Sequence, residues 1–93
     1  MLEARRRILG EEHPDTLTAM NNLAATLSAR GDHAGAQGLQ ERVLAARRRI
    51  LGEEHPHTLI AMGTLAATRR ALGDHAGAQE LEEEVEARQR SPG

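Results

Sequence analysis

Five histidines are the residues of this chain best suited to chemistry, and four of them come in two matched pairs. His13 and His55 each follow a pair of glutamates, and His33 and His75 each follow an aspartate, while His57 has no counterpart. Imidazole and carboxylate are both zinc ligands, and imidazole titrates near neutrality. A helical metal site, however, needs a spacing such as His-Glu-x-x-His, and neither that nor another established ligand spacing occurs. The repeated histidines therefore read as structural or solvated positions, and no metal ligand is assigned. The adjacent carboxylates Glu11-Glu12 and Glu53-Glu54 read as exposed linker charges, because two neighbouring glutamates do not make an acid–base pair without a pocket. Arg47, Arg48 and Arg49 fall near the end of an expected helix, where cations offset the negative pole of the backbone dipole. A site for phosphate or an acidic partner is the rival reading of that cluster. The chain has no cysteine and no lysine, so it has no thiol nucleophile, no thiolate zinc site and no lysine after a phosphate-cradling glycine loop. No catalytic or cofactor-binding residue is assigned, and an enzyme is not expected.

The elements that must position these residues have little bulk to work with. The chain has 93 residues, enough for one small domain, and contains no Phe, Trp or Tyr. Its core must come from Leu, Ile, Val, Met and Ala. A formal net charge of -2 argues against nucleic acid as a partner, since phosphate binding calls for a basic excess, and no aromatic is present for base stacking. No apolar run approaches the length of a membrane span, and the first nine residues are too short and too charged for a signal peptide. A cytoplasmic location is the expectation.

Organisation comes from a repeat. Gly31-Asp32-His33-Ala34-Gly35-Ala36-Gln37 returns unchanged as Gly73-Asp74-His75-Ala76-Gly77-Ala78-Gln79. Self-similarity at a period of about 42 residues signals a solenoid or array. In each copy the first glycine can end one helix in the left-handed conformation and the aspartate can cap the next. Upstream, Gly10 to Pro14 is a loop entering a helix, with Pro14 in the first turn, where its missing N–H is harmless. Leu17, Met20, Leu23, Ala24 and Leu27 then fall at helical spacing, which predicts a helix over 14–30. Ala36, Leu39, Val43, Ala46 and Ile50 mark a second helix over 33–51, stopped by Gly52.

The second copy follows the same plan, with Leu59, Met62, Leu65, Ala66 and Leu72 on its first helix and Ala78, Leu81 and Val85 on its second. Its differences are directional. Leu44 becomes Glu86, Ala46 becomes Arg88 and Ile50 becomes Pro92, while Glu80, Glu82, Glu83, Glu84 and Glu86 crowd the last helix. A terminal repeat needs a polar outer face, so this helix reads as a cap, with residues 91–93 as a frayed tail. At the other end, residues 2–10 match residues 44–52 except for Glu3 against Ala45. The chain is thus expected to start inside a repeat. The expected division is one domain over 1–93: a partial repeat helix at 1–9, repeat one at 10–51 and repeat two at 52–93.

The pattern Asn22-Leu23-Ala24, Leu27, Gly31-Asp32-His33 and Ala36, with Thr64-Leu65-Ala66, Gly73-Asp74-His75 and Ala78, resembles a tetratricopeptide repeat. The long period and the Leu-Gly-Glu-Glu-His-Pro-Asp-Thr linker resemble its kinesin light chain type. The resemblance spans about Gly10 to Gln89. An aromatic usual in the family at the positions of His33 and His75, and often at Gln40 and Glu82, is absent. A HEAT-like helical pair shares the period but leaves the Gly-Asp-His-x-x-Ala turn unexplained.

The resemblance implies an all-α fold: a short right-handed α-solenoid of two helical hairpins plus an N-terminal helical stub. It implies a module that binds a protein or peptide and does no chemistry itself, as in a bacterial scaffold or signalling protein. It places Thr18, Asn21, Asn22, Ala25 and Ser28 on the concave face, with Ile60, Gly63, Thr64, Ala67 and Arg70 as their counterparts. Asn22 stands where an asparagine often contacts a peptide backbone in the kinesin light chain type, and Thr64 breaks that pattern. The competing class is a structural self-assembly unit. Two repeats are fewer than the three or more that usually stabilise a solenoid, so a homo-oligomer is expected, with a dimer favoured.

Overall fold

The computed structural model describes residues 13–90. Within them the chain forms four helices: α1 over Pro14–Ala29, α2 over His33–Leu51, α3 over Pro56–Ala71 and α4 over His75–Arg90. The fold is all-α. Consecutive helices pack on one another, α1 on α2, α2 on α3 and α3 on α4, so two hairpins lie side by side. The expected stub at 1–9, the loop at 10–12 and the tail at 91–93 lie outside the described residues.

Each helix starts where its sequence supplies a cap. The histidines before the two prolines turn out to be capping residues: His13 Nδ1 accepts from the Asp15 N–H at 3.1 Å and His55 Nδ1 from the His57 N–H at 3.0 Å. Both satisfy one of the orphan donors of a first turn, which accounts for the repeated His-Pro pair. At the hairpin turns the aspartate does the same work. Asp32 Oδ1 accepts from the Gly35 N–H and Asp74 Oδ1 from the Gly77 N–H, each at 2.9 Å. The carboxylate occupies the space a side chain would need: a Cβ on Gly35 would stand 2.5 Å from Asp32 Oδ2, and one on Gly77 2.3 Å from Asp74 Oδ2. That is why a second glycine recurs in the turn.

The same aspartate also closes the preceding helix. The Asp32 N–H donates to the Leu27 carbonyl at 2.8 Å and the Gly31 N–H to the Ser28 carbonyl at 2.9 Å, with Gly31 at φ +87°. This is the paired bonding of a Schellman ending, and the left-handed glycine is its requirement. α1 consequently stops at Ala29, with Arg30 as its cap, one residue short of the sequence-based boundary. Gly31→Ala is expected to lower stability by about 1–2 kcal/mol through backbone strain alone, since no atom lies within 4 Å of the added Cβ. Gly38→Ala, in the exposed middle of α2 with equally open space, is expected to raise it by about 0.5–1 kcal/mol. Urea unfolding of both variants checks the opposite signs.

The core is thin, as the absence of aromatics implies. One cluster joins Leu44, Ala61, Met62, Leu65, Ala66, Ala78 and Leu81, with Leu59 and Val85 partly buried against it. A smaller one joins Leu17, Met20, Val43 and Ala46, with Leu39 at its edge. Three residues of the expected apolar faces lie outside: Leu23, Ile50 and Leu72 are 39%, 47% and 43% exposed. Leu72 is the cap beyond α3, and Ile50 sits in the last turn of α2. Polar groups also enter the buried interior. Thr58 is fully buried and its hydroxyl donates to the Arg47 carbonyl at 3.3 Å, tying the start of α3 to the end of α2. Thr16, its counterpart, is equally buried, and its hydroxyl has no partner among the described residues.

The glutamates of α4 are not all solvated. Arg48 on α2 holds both carboxylate oxygens of Glu84 at 3.0 Å, and its Nε lies 3.2 Å from Glu53 Oε1. Arg88 closes the group at 3.7 Å from Glu53 and 3.8 Å from Glu84. Glu53 is therefore a partner in a four-membered ion network rather than a free linker charge. Arg69, where the first copy has Leu27, reaches Glu41 on α2 at 3.3 Å. The exchange of leucine for arginine thus supplies an ion pair between hairpins.

Candidate functional site

Helices α1 and α3 stand one sequence repeat apart and both pack on α2. Between them runs a concavity of about 390 Å³. Its α1 wall carries Asn21, Ala25, Ser28 and Ala29, its α3 wall carries Thr64, Ala67 and Thr68, and Gln40 of α2 lies at the floor. The wall on α1 follows from spacing: residues 21, 25 and 28 fall at steps of four and three, one stripe of a helix whose neighbouring stripe, Leu17, Met20 and Ala24, is in the core. Thr64, Ala67 and Thr68 stand at the repeat positions of Asn22, Ala25 and Thr26, so α3 turns a neighbouring stripe of its surface to the groove.

Alanines keep the walls low, so a chain could approach the helix backbone closely. No charged side chain lines the groove. Two of its hydroxyls are already engaged: Ser28 Oγ lies 3.2 Å from His33 Nδ1, and Thr64 Oγ1 donates to the Ile60 carbonyl at 3.0 Å. Gln40 is 5% exposed, and its Oε1 has no hydrogen-bond partner among the described residues.

The expected concave residues divide. Asn21, Ala25, Ser28, Thr64 and Ala67 come together in the groove. Thr18 lies instead beside a second hollow of about 350 Å³, with Pro14, Leu17, Arg47, Ile50, Leu51, His55 and His57. Burial in that hollow lowers the Arg47 pKa from its usual value. Asn22 is exposed beside the groove, and its carbonyl accepts from the Thr26 hydroxyl at 3.2 Å. Ile60 is 59% exposed, and Gly63 is exposed with open space around it; neither lines the groove. Arg70 turns to Glu82 on α4, 2.7 Å away. Residues 16–57 match the family model of the tetratricopeptide repeat. No curated protein matches the chain.

The tetratricopeptide repeat match starts in the first turn of α1, takes in all of α2 and ends in the first turn of α3. It thus holds the α1 wall and the floor of the groove, while Thr64, Ala67 and Thr68 lie beyond its end. Ala29 and Thr68 are not among the residues singled out from sequence, and Gln40 is named there only as a position where the resembling family often carries an aromatic. A signal for Gln40 existed: 36, 40, 43 and 44 fall on one buried stripe of α2, and a glutamine there is a polar residue at a core position. For Thr68 the register of α3 against α1 was needed.

Among the described residues, no three of His, Cys, Asp and Glu gather closely enough to hold a metal ion, and no helix is long and apolar enough to cross a membrane. A third hollow of about 280 Å³ among α2, α3 and α4 carries the Arg48–Glu84 and Arg69–Glu41 pairs together with Glu80.

Proposed function

We propose that the chain is a protein–protein interaction module that receives an extended peptide segment along the groove between α1 and α3. The observation that carries this reading is the groove itself: uncharged, walled by alanines and small hydroxyl residues, with the Asn21 side chain at its edge free of hydrogen bonds to the described residues. A neutral, low-walled hollow of this kind suits a main chain with small side chains better than a charged tail. The tetratricopeptide repeat match supports the same class of function.

The finer assignment belongs to this proposal. The 42-position step from Gly31 to Gly73 and the Leu-Gly-Glu-Glu-His-Pro linker favour the kinesin light chain type, acting in a cytoplasmic bacterial scaffold or signalling protein without catalysis of its own. Repeat one would span 10–51 and repeat two 52–93 within a single unit. Peptides selected on the immobilised protein from a random extended library test the reading. Asn21→Ala is expected to weaken selected peptides about tenfold or more, as loss of a central polar contact does, whereas Asn22→Ala leaves them bound. Equal binding by the Asn21 variant would move the site away from the groove.

A second reading, self-assembly, is favoured by the apolar hollow at the other end of α2, where Ile50 and Leu51 stand 47% and 38% exposed beside Pro14 and Leu17. In this reading a second copy covers the hollow and the chain is a homodimer. Light scattering over a range of concentrations distinguishes it: a monomer throughout removes it.

A further inference from the structure

The least explained side chain in the molecule is Gln40. It is 5% exposed, yet neither end of its carboxamide bonds to the described residues, and its Oε1 is shielded from solvent as well. A buried acceptor without a partner is costly, and its surroundings offer an obvious relief: an apolar side chain of the same length would fill the place among Ala36, Val43 and Leu44. Its counterpart in the second copy, Glu82, is exposed and paired with Arg70, so repetition of the hairpin plan does not account for the glutamine.

What sets Gln40 apart is its position at the floor of the α1–α3 groove. The Ser28 and Thr64 hydroxyls in the walls are engaged. Capacity for new hydrogen bonds then lies in the Thr68 hydroxyl of the α3 wall and in two carboxamides, Gln40 below and Asn21 at the side, of which only the carboxamides present donor and acceptor in one plane. The terminal torsion of glutamine is soft, and rotation about it exchanges the oxygen and the nitrogen. A carboxamide offers one acceptor and a pair of donors in a plane, which is the complement of a peptide group. It has no charge to match a carboxylate or an ammonium, and the groove has none either.

We propose that Gln40 anchors a subsite for one main-chain peptide unit, its carboxamide pairing with the N–H and C=O of an extended segment laid along the groove. The proposal rests on the reading of the groove as a peptide channel and adds to it the recognition of backbone amide rather than of side chain. Low alanine walls at positions 25, 29 and 67 let that backbone reach the floor. Sequence-tolerant binding of segments rich in small residues follows.

The test uses blocked trialanine, acetyl-Ala-Ala-Ala-N-methylamide, followed by NMR titration of the whole protein. Saturable shifts of the Gln40 and Asn21 side-chain amides are expected. The analogue methylated at every amide nitrogen, which has no N–H to donate, is expected to leave them unmoved. Gln40→Met, which keeps length and shape, is expected to weaken binding about tenfold while Tm stays level or rises, because an unsatisfied acceptor has been removed. A fall in Tm would make Gln40 a structural residue and overturn the proposal. Unchanged affinity in Gln40→Met together with lost affinity in Asn21→Ala would also overturn it, and would leave the groove reading standing. Absence of groove shifts with either compound would overturn both.

Discussion

Met62→Ala is expected to destabilise the protein by about 2–5 kcal/mol, the range for removing a long apolar side chain from a packed site. Met62 is 0% exposed and belongs to the cluster that joins α2, α3 and α4 through Leu44, Leu65, Ala78 and Leu81. With no aromatic ring anywhere in the chain, methionine and leucine supply the bulk of this core, and the alanines around Met62 are too short to close the gap. A domain of this size has only about 5–15 kcal/mol of stability in all, so the loss is a large share of the total. Urea unfolding followed by circular dichroism measures it. A loss under about 1 kcal/mol would show that the cluster collapses around the cavity, and that the packing is looser than its burial indicates.

Ala36→Leu is expected to cost about 1–3 kcal/mol for the opposite reason, overpacking. Ala36 is 0% exposed, one residue past Gly35 and on the buried stripe of α2 at the hairpin turn. The turn leaves it little freedom to shift. Asp32 caps α2 through the Gly35 N–H and its own N–H closes α1 on the Leu27 carbonyl, so the two helices are pinned to each other next to the alanine. Three added heavy atoms must then push α1 and α2 apart or take a strained rotamer. Ala78→Leu, in the same place of the second hairpin and beside Met62, is expected to behave alike. The measurement is again the unfolding midpoint, with the far-ultraviolet spectrum showing that helicity is retained. An unchanged midpoint would mean that α1 and α2 meet along another stripe.

Both substitutions act at positions that spacing alone had placed in the core, and that marks how far a one-dimensional reading reaches. The bounds of α1 and α2 were legible to within a residue because their signals are local. Pro14, the two Gly-Asp turns and Gly52 each act on backbone groups a few positions away. The outcome at the histidines was only half legible: a structural role followed from the missing ligand spacing, but the capping bond from Nδ1 to the N–H two residues on needed coordinates. Leu23, Ile50 and Leu72 were misplaced because a 3.6-residue period defines a stripe without saying how far along it the neighbouring helix extends. Glu53 and Glu84 were read as solvated for a related reason, since Arg48, which holds both, sits on α2, and Arg88, the further partner of Glu53, sits on α4.

The sequence by itself determined that the chain is all-α, where its helices begin and end, and that two similar hairpins follow each other. Those properties arise from periodicity, capping and glycine conformation, all of which act over a few residues. The tertiary structure alone decided which residues meet across helices. The register of α1 against α3 brings Asn21, Ala25 and Ser28 opposite Thr64 and Ala67 and leaves Asn22, Ile60 and Arg70 out. The packing of α2 against them buries Gln40 with its carboxamide unsatisfied. A groove is a relation between helix faces, set by how side chains on three helices interlock, and no local rule of spacing contains that information.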